Sequence, residues 1–350
     1  MAYSTISKPS LYFNTKLYTG TGSSNAVTGV GFQPDLVWLK KRSGADNHYW
    51  FDAVRGATKY IRSNLNSAEA TDAGSLSAFG SDGFTVVSEG DINANGATMA
   101  SWNWKANGAG SANTDGSINT TATSVNTTAG FSISKYTGTG ANATVGHGLG
   151  VAPSFIIFKN LIASGGSAEH WVVYHKSVAP TKGIIFNLTN SADTDSAYFN
   201  NTAPTNSVFS LGSADKLNKS GQAHIAYAFA EKKGYSKFGS YTGNGNADGT
   251  FVYTGFKPAF ILTKQSSASG EGWLMHDNKR LGYNSDNNSF YANGVNVEAT
   301  GDYLDIVSNG FKVRNTNSVI NGSGATYIYM AIADEPLVAN VGESIPATAR

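Results

Sequence analysis

One phrase is written three times along this chain. It occurs as Gly31-Phe32-Gln33-Pro34-Asp35-Leu36-Val37-Trp38-Leu39-Lys40 and as Gly150-Val151-Ala152-Pro153-Ser154-Phe155-Ile156-Ile157-Phe158-Lys159. The third copy is Gly255-Phe256-Lys257-Pro258-Ala259-Phe260-Ile261-Leu262-Thr263-Lys264. Proline fixes φ and has no N–H, so it suits the first residue of a strand and not its middle. The apolar run behind each proline is short and rich in β-branched and aromatic residues, which predicts a buried strand. The lysines that close the phrase, Lys40, Lys159 and Lys264, read as charges that end the strand and discourage edge pairing. The chain is therefore a repeat protein, constrained to three copies of one supersecondary unit.

Other segments recur in register with this phrase. Tyr18-Thr19-Gly20-Thr21-Gly22, Tyr136-Thr137-Gly138-Thr139-Gly140 and Tyr241-Thr242-Gly243-Asn244-Gly245 open the units, 16, 17 and 17 residues before the proline. Glycines two apart at a strand end predict a turn with positive φ, so they are backbone devices rather than ligand contacts. A second apolar strand follows as His48-Tyr49-Trp50-Phe51-Asp52, Trp171-Val172-Val173-Tyr174-His175 and Trp273-Leu274-Met275-His276-Asp277. Residues 65–72 resemble residues 188–195, a polar loop after a strand. Asp82-Gly83-Phe84 and Asn309-Gly310-Phe311 each signal the start of a hairpin's first strand, whereas unit two has Ser207-Val208-Phe209. The closing strands at 99–104, 224–229 and 327–332 carry aromatics on one side, which predicts half-buried antiparallel strands. Phe84 to Trp102, Phe209 to Tyr227 and Phe311 to Tyr329 are each 18 residues apart.

These signals predict an all-β chain of three tandem antiparallel β-sandwich units, about six strands each, with little or no helix. The units span 1–106, 130–233 and 234–335. Residues 107–129 read as a Gly/Ser/Thr/Asn-rich linker whose part 118–125 has strand-like content. Units two and three join directly through Glu231-Lys232-Lys233-Gly234, which fixes their angle, and residues 336–350 read as an extended tail. Units of this size bury a limited fraction of their surface and leave edges open, so a homo-oligomer is expected, a trimer first.

A net charge of +1 with 14% charged residues gives no electrostatic case for nucleic acid or an anionic membrane. The absence of cysteine removes disulfides and thiolate metal sites. No run of 18 apolar residues predicts a membrane span, and the N-terminus lacks the apolar core of a signal peptide. Synthesis in a cytoplasm is the expectation.

Candidate chemistry is thin. A glycosidase needs two carboxylates flanking a cleft. The recurring acids are Asp52 and Asp277, answered by His175 in unit two. Arg55 and Arg280 stand three residues further on, so each pair reads as a surface ion pair. His48, His147, His170, His175, His224 and His276 show no metal-ligand spacing, and no Gly-x-Ser-x-Gly elbow follows a strand. Asp193-Thr194-Asp195 and Asp286-Asn287-Asn288 read as turn residues rather than a calcium loop. No catalytic residue, metal site or cofactor is expected. Aromatics that recur in register belong to the core. Trp171 and Trp273, which stand where unit one has His48, are the weak candidates for stacking on a sugar.

The phrases Leu11-Tyr12-Phe13-Asn14-Thr15-Lys16-Leu17-Tyr18-Thr19-Gly20, Gly31-Phe32-Gln33-Pro34-Asp35-Leu36-Val37-Trp38, Ser81-Asp82-Gly83-Phe84-Thr85-Val86 and Trp102-Asn103-Trp104-Lys105-Ala106 carry a resemblance. With Gly234-Tyr235-Ser236-Lys237-Phe238-Gly239-Ser240-Tyr241-Thr242-Gly243, they make the chain similar to modular structural proteins of bacteriophages. Marine phages supply many of these, labelled tail fibre or virion structural proteins. The resemblance covers nearly the whole chain. It implies tandem sandwich modules of lectin-like or jelly-roll character, a virion location and a non-enzymatic role. Other phage structural proteins are the implied partners, with a host surface glycan or receptor as the external ligand. Host adhesion through a tail fibre is the first expectation. A capsid decoration protein is the alternative, favoured by the lack of a coiled-coil or collagen-like stalk, and a glycan-degrading tail enzyme is the second alternative.

Overall fold

The computed structural model describes residues 4, 6–163, 168–280, 284 and 287–337. Each repeat folds as a large antiparallel sheet backed by a small one. In unit one the large sheet is ordered β1 (Phe13–Thr19), β9 (Thr98–Trp104), β3 (Leu36–Lys41), β4 (Tyr49–Asp52), β5 (Lys59–Arg62), β6 (Ala70–Thr71). The small one is β2 (Asn25–Thr28), β8 (Gly83–Val86), β7 (Leu76–Gly80).

Unit two repeats this as β10 (Ala122–Asn126), β11 (Phe131–Thr137), β18 (Ala223–Phe229), β13 (Phe155–Asn160), β14 (Val172–His175), β15 (Lys182–Ile185), β16 (Asp193–Thr194). Its small sheet has two strands, β12 (Ala143–Gly146) and β17 (Val208–Leu211). In unit three the large sheet is β19 (Ser236–Thr242), β27 (Thr326–Pro336), β21 (Phe256–Gln265), β22 (Leu274–Asp277), β23 (Asn288–Tyr291), β24 (Ala299–Thr300). Behind it lie β20 (Phe251–Tyr253), β26 (Gly310–Val313) and β25 (Leu304–Val307). The protein is all-β, with antiparallel sheets and, among the described residues, four α-helices of one turn each. Among the described residues each unit has nine strands rather than about six, because pieces as short as β6 leave no periodic signal in the sequence.

The strand after each repeated proline is apolar at successive positions because both of its faces are buried. Val37 and Leu39 face the small sheet of their own unit with Phe84 and Val86. Leu36 and Trp38 point the other way, into one core shared by all three units. That core also takes Trp50, Trp102 and Trp104 from unit one, Phe155, Tyr227 and Phe229 from unit two, and Phe260, Trp273 and Met330 from unit three. The closing strands, expected to be half-buried, are therefore buried on both faces: Ser101 and Asn103 are as inaccessible as Trp102. Rings meet across unit boundaries, Trp50 with Trp171 at 5.4 Å, Trp50 with Tyr227 at 5.1 Å and Phe155 with Phe238 at 6.0 Å.

Backbone bonds close the three units into a ring. Glu69 N–H donates to Leu161 O at 2.9 Å, Ala192 N–H to Ser266 O at 3.0 Å, and Glu298 N–H to Arg42 O at 3.1 Å. These links run from unit one to two, two to three, and three back to one, a pseudo-threefold closure within a single chain. The segments at 65–72 and 188–195 are thus straps onto the next unit and not free loops. Unit three has its own copy, Glu298-Ala299-Thr300 against Glu69-Ala70-Thr71, which the sequence reading missed.

Local devices explain the recurring phrases. Pro34 and Pro153 are buried two residues ahead of β3 and β13. Pro258 lies inside β21, where the register shifts on either side of it and no ladder N–H is required. In the Tyr-Thr-Gly phrase the first glycine allows close approach. A Cβ on Gly20 would stand 2.2 Å from Ala94 O, and one on Gly138 2.4 Å from Lys219 O. The second glycine carries the positive φ, 69° at Gly22 and 73° at Gly140.

Three further expectations need correction. Gly83 and Gly310 begin the second strand of their hairpins, paired with the strand before, and not the first. Unit two lacks this glycine because the helical turn Ser196–Phe199 replaces the preceding strand, so there is no hairpin to close. Residues 107–129 are not a free linker, although their strand-like part does pair as its composition suggests: β10 extends the sheet of unit two, and Ile118 bridges to Val145. Finally, Trp102 and Tyr227 stand opposite Trp38 and Ile157, but their counterpart opposite Leu262 is Met330 and not Tyr329. One extra residue before β27 shifts the register, so Tyr329 faces the local core of unit three. The tail 336–350 lies, beyond Leu337, outside the described residues.

Candidate functional site

The residues singled out in the sequence converge on the junctions between units. Asp52 and Asp277, expected at the surface with Arg55 and Arg280, are buried with their arginines. Arg280 Nε donates to Asp277 Oδ2 at 2.7 Å, and Trp102 Nε1 of unit one donates to the same oxygen at 2.9 Å. Asp52 Oδ2 accepts from Arg55 Nε at 2.5 Å and from the Tyr227 hydroxyl of unit two at 2.7 Å. Burial alone would raise the Asp277 carboxyl. The Arg280 charge and the hydrogen bonds from Arg280 and Trp102 outweigh it and hold the group below the ordinary carboxylate range.

His175 fills the same position in unit two but works differently. Its Nδ1 accepts from Ser177 N–H at 3.1 Å, and its Nε2–H donates to Tyr329 O of unit three at 3.1 Å. Met330, at the place of Trp102 and Tyr227, offers no donor, and Val178 stands where the other units have arginine. A carboxylate there would be left without partners, so a neutral ring takes its place. Burial pushes the His175 ring down to about 4.

The lysines Lys40, Lys159 and Lys264 do not close strands at the surface; all three are fully buried. Lys159 Nζ donates to Asn160 O at 2.7 Å, Glu169 O at 2.8 Å and, across the junction, Asn66 O of unit one at 3.0 Å. Lys264 repeats this with Gln265 O, Glu271 O and Thr189 O of unit two. Lys40 donates to Lys41 O and Gly44 O and lies 5.2 Å from the Phe290 ring of unit three. Burial lowers Lys159 to about 7 and Lys40 and Lys264 to about 8.

Trp171 and Trp273 are likewise core residues, 0% and 1% exposed, with no ring face open to a sugar. Trp171 Nε1 donates to Leu65 O of unit one at 2.9 Å, and Trp273 Nε1 to Ile185 O of unit two at 3.1 Å. The apolar environment demands a partner for each indole N–H, and the preceding unit supplies it. Among the described residues no group of three or more His, Asp or Glu side chains could hold a metal ion. None of their helices is long and apolar enough to cross a membrane.

One surface feature stands apart from this ring. β20 places Val252 in the local core and turns Phe251 and Tyr253 outward, 45% and 52% exposed. The equivalent strand of unit one carries Ala26 and Thr28 at its exposed places, and in unit two the matching Thr144 and Gly146 are covered by the segment around Asn113 and Ser117. Tyr253 borders a cleft of about 440 Å³ lined also by Glu231, Ser236, Lys237, Thr254 and Pro336. Lys237 Nζ lies 5.3 Å from the Tyr253 ring centroid. Glu231 is paired with Lys176 of unit two, so its charge is already met. Aligning the three repeats position by position would have exposed this pair of aromatics; reading for shared residues hid it.

Fold and junctions together define a class: an all-β protein of three modules that close on one another through buried polar clamps. A family model described as a domain of unknown function, DUF7483, matches residues 8–336, and the chain belongs to that family. No curated protein matches the chain at a significant level.

Proposed function

We propose that the protein is a non-enzymatic structural component of a bacteriophage virion, exposed at its surface as part of a tail fibre or receptor-binding appendage. The observation that carries this reading is how the polar groups of the repeats are used. Asp52, Asp277, His175, Lys159 and Lys264 all bond one unit to the next, and Lys40 lies against the Phe290 ring of unit three. The recurring carboxylates are locked to arginines in separate junctions, where no substrate could reach them. Such a ring is a rigid platform, with its variation displaced to outer strands and turns.

A capsid decoration protein is the second reading, because a pseudo-threefold ring suits a threefold site on a shell. Any further association of copies, a homo-trimer first, would use the edge strands β1 and β19, since the apolar faces are consumed within one chain. Gold-labelled antibody on intact virions is the test. Label at the tail or its fibres is expected, label over the head would favour decoration, and unlabelled particles would overturn the proposal. Release of reducing sugar from a host polysaccharide would contradict the non-enzymatic reading.

A further inference from the structure

We propose that the cleft beside Tyr253 binds an anionic oligosaccharide, with a sugar face on the Tyr253 ring and a carboxylate at the Lys237 ammonium. The inference rests on the adhesion reading and names its ligand class. Unit one builds the same outer strand with Ala26 and Thr28 at its exposed places, so the fold itself does not require aromatics there. A single exposed apolar residue is ordinary on a protein surface. Here two rings project from alternate positions of one strand, about 7 Å apart along it, and the nearer one borders a cleft large enough for a small ligand.

The chemistry of the cleft narrows the occupant. Sugar rings present apolar C–H faces that pack on aromatic rings, and Tyr adds a hydroxyl for hydrogen bonding. Lys237 supplies a cation over one face of that ring, leaving the other for a sugar, whereas the one carboxylate among the described lining residues, Glu231, is neutralised by Lys176. An anionic group is thus favoured over a cationic one. Phe251, one step further along β20, offers a platform for the next sugar of a chain.

The test is titration calorimetry on the full chain with trigalacturonic acid, its neutral methyl ester and a sulfated trisaccharide, at low and high salt. Binding of trigalacturonic acid that weakens with salt is expected, with the ester bound roughly tenfold more weakly. Tyr253→Ala should weaken binding roughly tenfold, and Lys237→Gln should remove most of the salt dependence. Both side chains are accessible, and an unchanged melting temperature confirms the fold of each variant. No binding of trigalacturonic acid, equal binding of the ester, binding of the sulfated probe alone, or affinity unmoved by Tyr253→Ala would each overturn the proposal. Virion labelling separates the two readings: labelled virions with no saccharide bound would sink the site and leave adhesion standing. Saccharide binding by a protein missing from virions would do the reverse.

Discussion

The junction between units three and one and the junction between units two and three occupy equivalent places, yet they are held by opposite chemistry. At the first, the Asp277 carboxylate gathers Arg280 and the Trp102 indole. At the second, neutral His175 donates a hydrogen bond to a main-chain carbonyl. The residue presented by the neighbour decides which is possible. A donor such as Trp102 or Tyr227 calls for an acceptor, and Met330 calls for a group that can find its own partner in the backbone. The buried polar residue at this position of a repeat is therefore specified by the neighbouring repeat together with its own arginine or valine three residues on.

The largest break of this comparison is Asp277→Ala, which takes the nearer of two carboxylates from buried Arg280 and leaves it only Glu298, at 3.3 Å. A loss of about 3–5 kcal/mol is expected in chemical denaturation, and replacing Arg280 by Met as well should recover much of it. Loss below 1 kcal/mol would mean the junction is not closed in solution.

Lys159→Met strips three carbonyls of their donor, one of them in unit one. We expect a cost of about 1–3 kcal/mol. The same burial gives these lysines a pH signature. Their folded pKa values, about 7 to 8, lie below the ordinary lysine value. The unfolded chain then binds more protons, so their contribution to stability rises with pH from about 7 upward. Lys159→Met should flatten part of that rise in melting temperature.

Acid separates the two junctions. His175 titrates near 4 when folded and near the ordinary histidine value when unfolded. Stability is lost as pH falls from about 6.5 toward 4, by about 2 kcal/mol at pH 5. The Asp277 pair holds through this window and weakens only as pH falls through its lowered folded value. His175→Gln should therefore lose less stability than the parent between pH 7 and 5. Parallel pH profiles would show that His175 is not the titrating group. The smallest effect belongs to the outer strand of unit three, where Tyr253→Ala should move stability by no more than about 0.5 kcal/mol.

Much of the architecture could be read from the residues. The spaced Tyr-Thr-Gly and Gly-x-x-Pro phrases carry backbone constraints that hold wherever the unit is placed. What escaped was everything that depends on the ring. Lys159 and Asp52 look like surface charges because a single unit shows nothing to cover them; the cover comes from residues 93 and 175 positions away. Trp171 looked free because its partner, Leu65 O, is a main-chain atom with no sequence signature. The offset between Tyr329 and Met330 escaped because one added residue preserves the spacing to the wrong aromatic. In the cleft, Tyr253 went unnoticed for the opposite reason, since it belongs to one copy alone.

Scanning calorimetry on the full chain tests the shared core most directly. If the three units hold one core in common, the chain unfolds in a single transition whose van't Hoff and calorimetric enthalpies agree, and Asp277→Ala shifts that whole transition downward. Two or three resolved transitions, with only one of them moved by the substitution, would contradict the account.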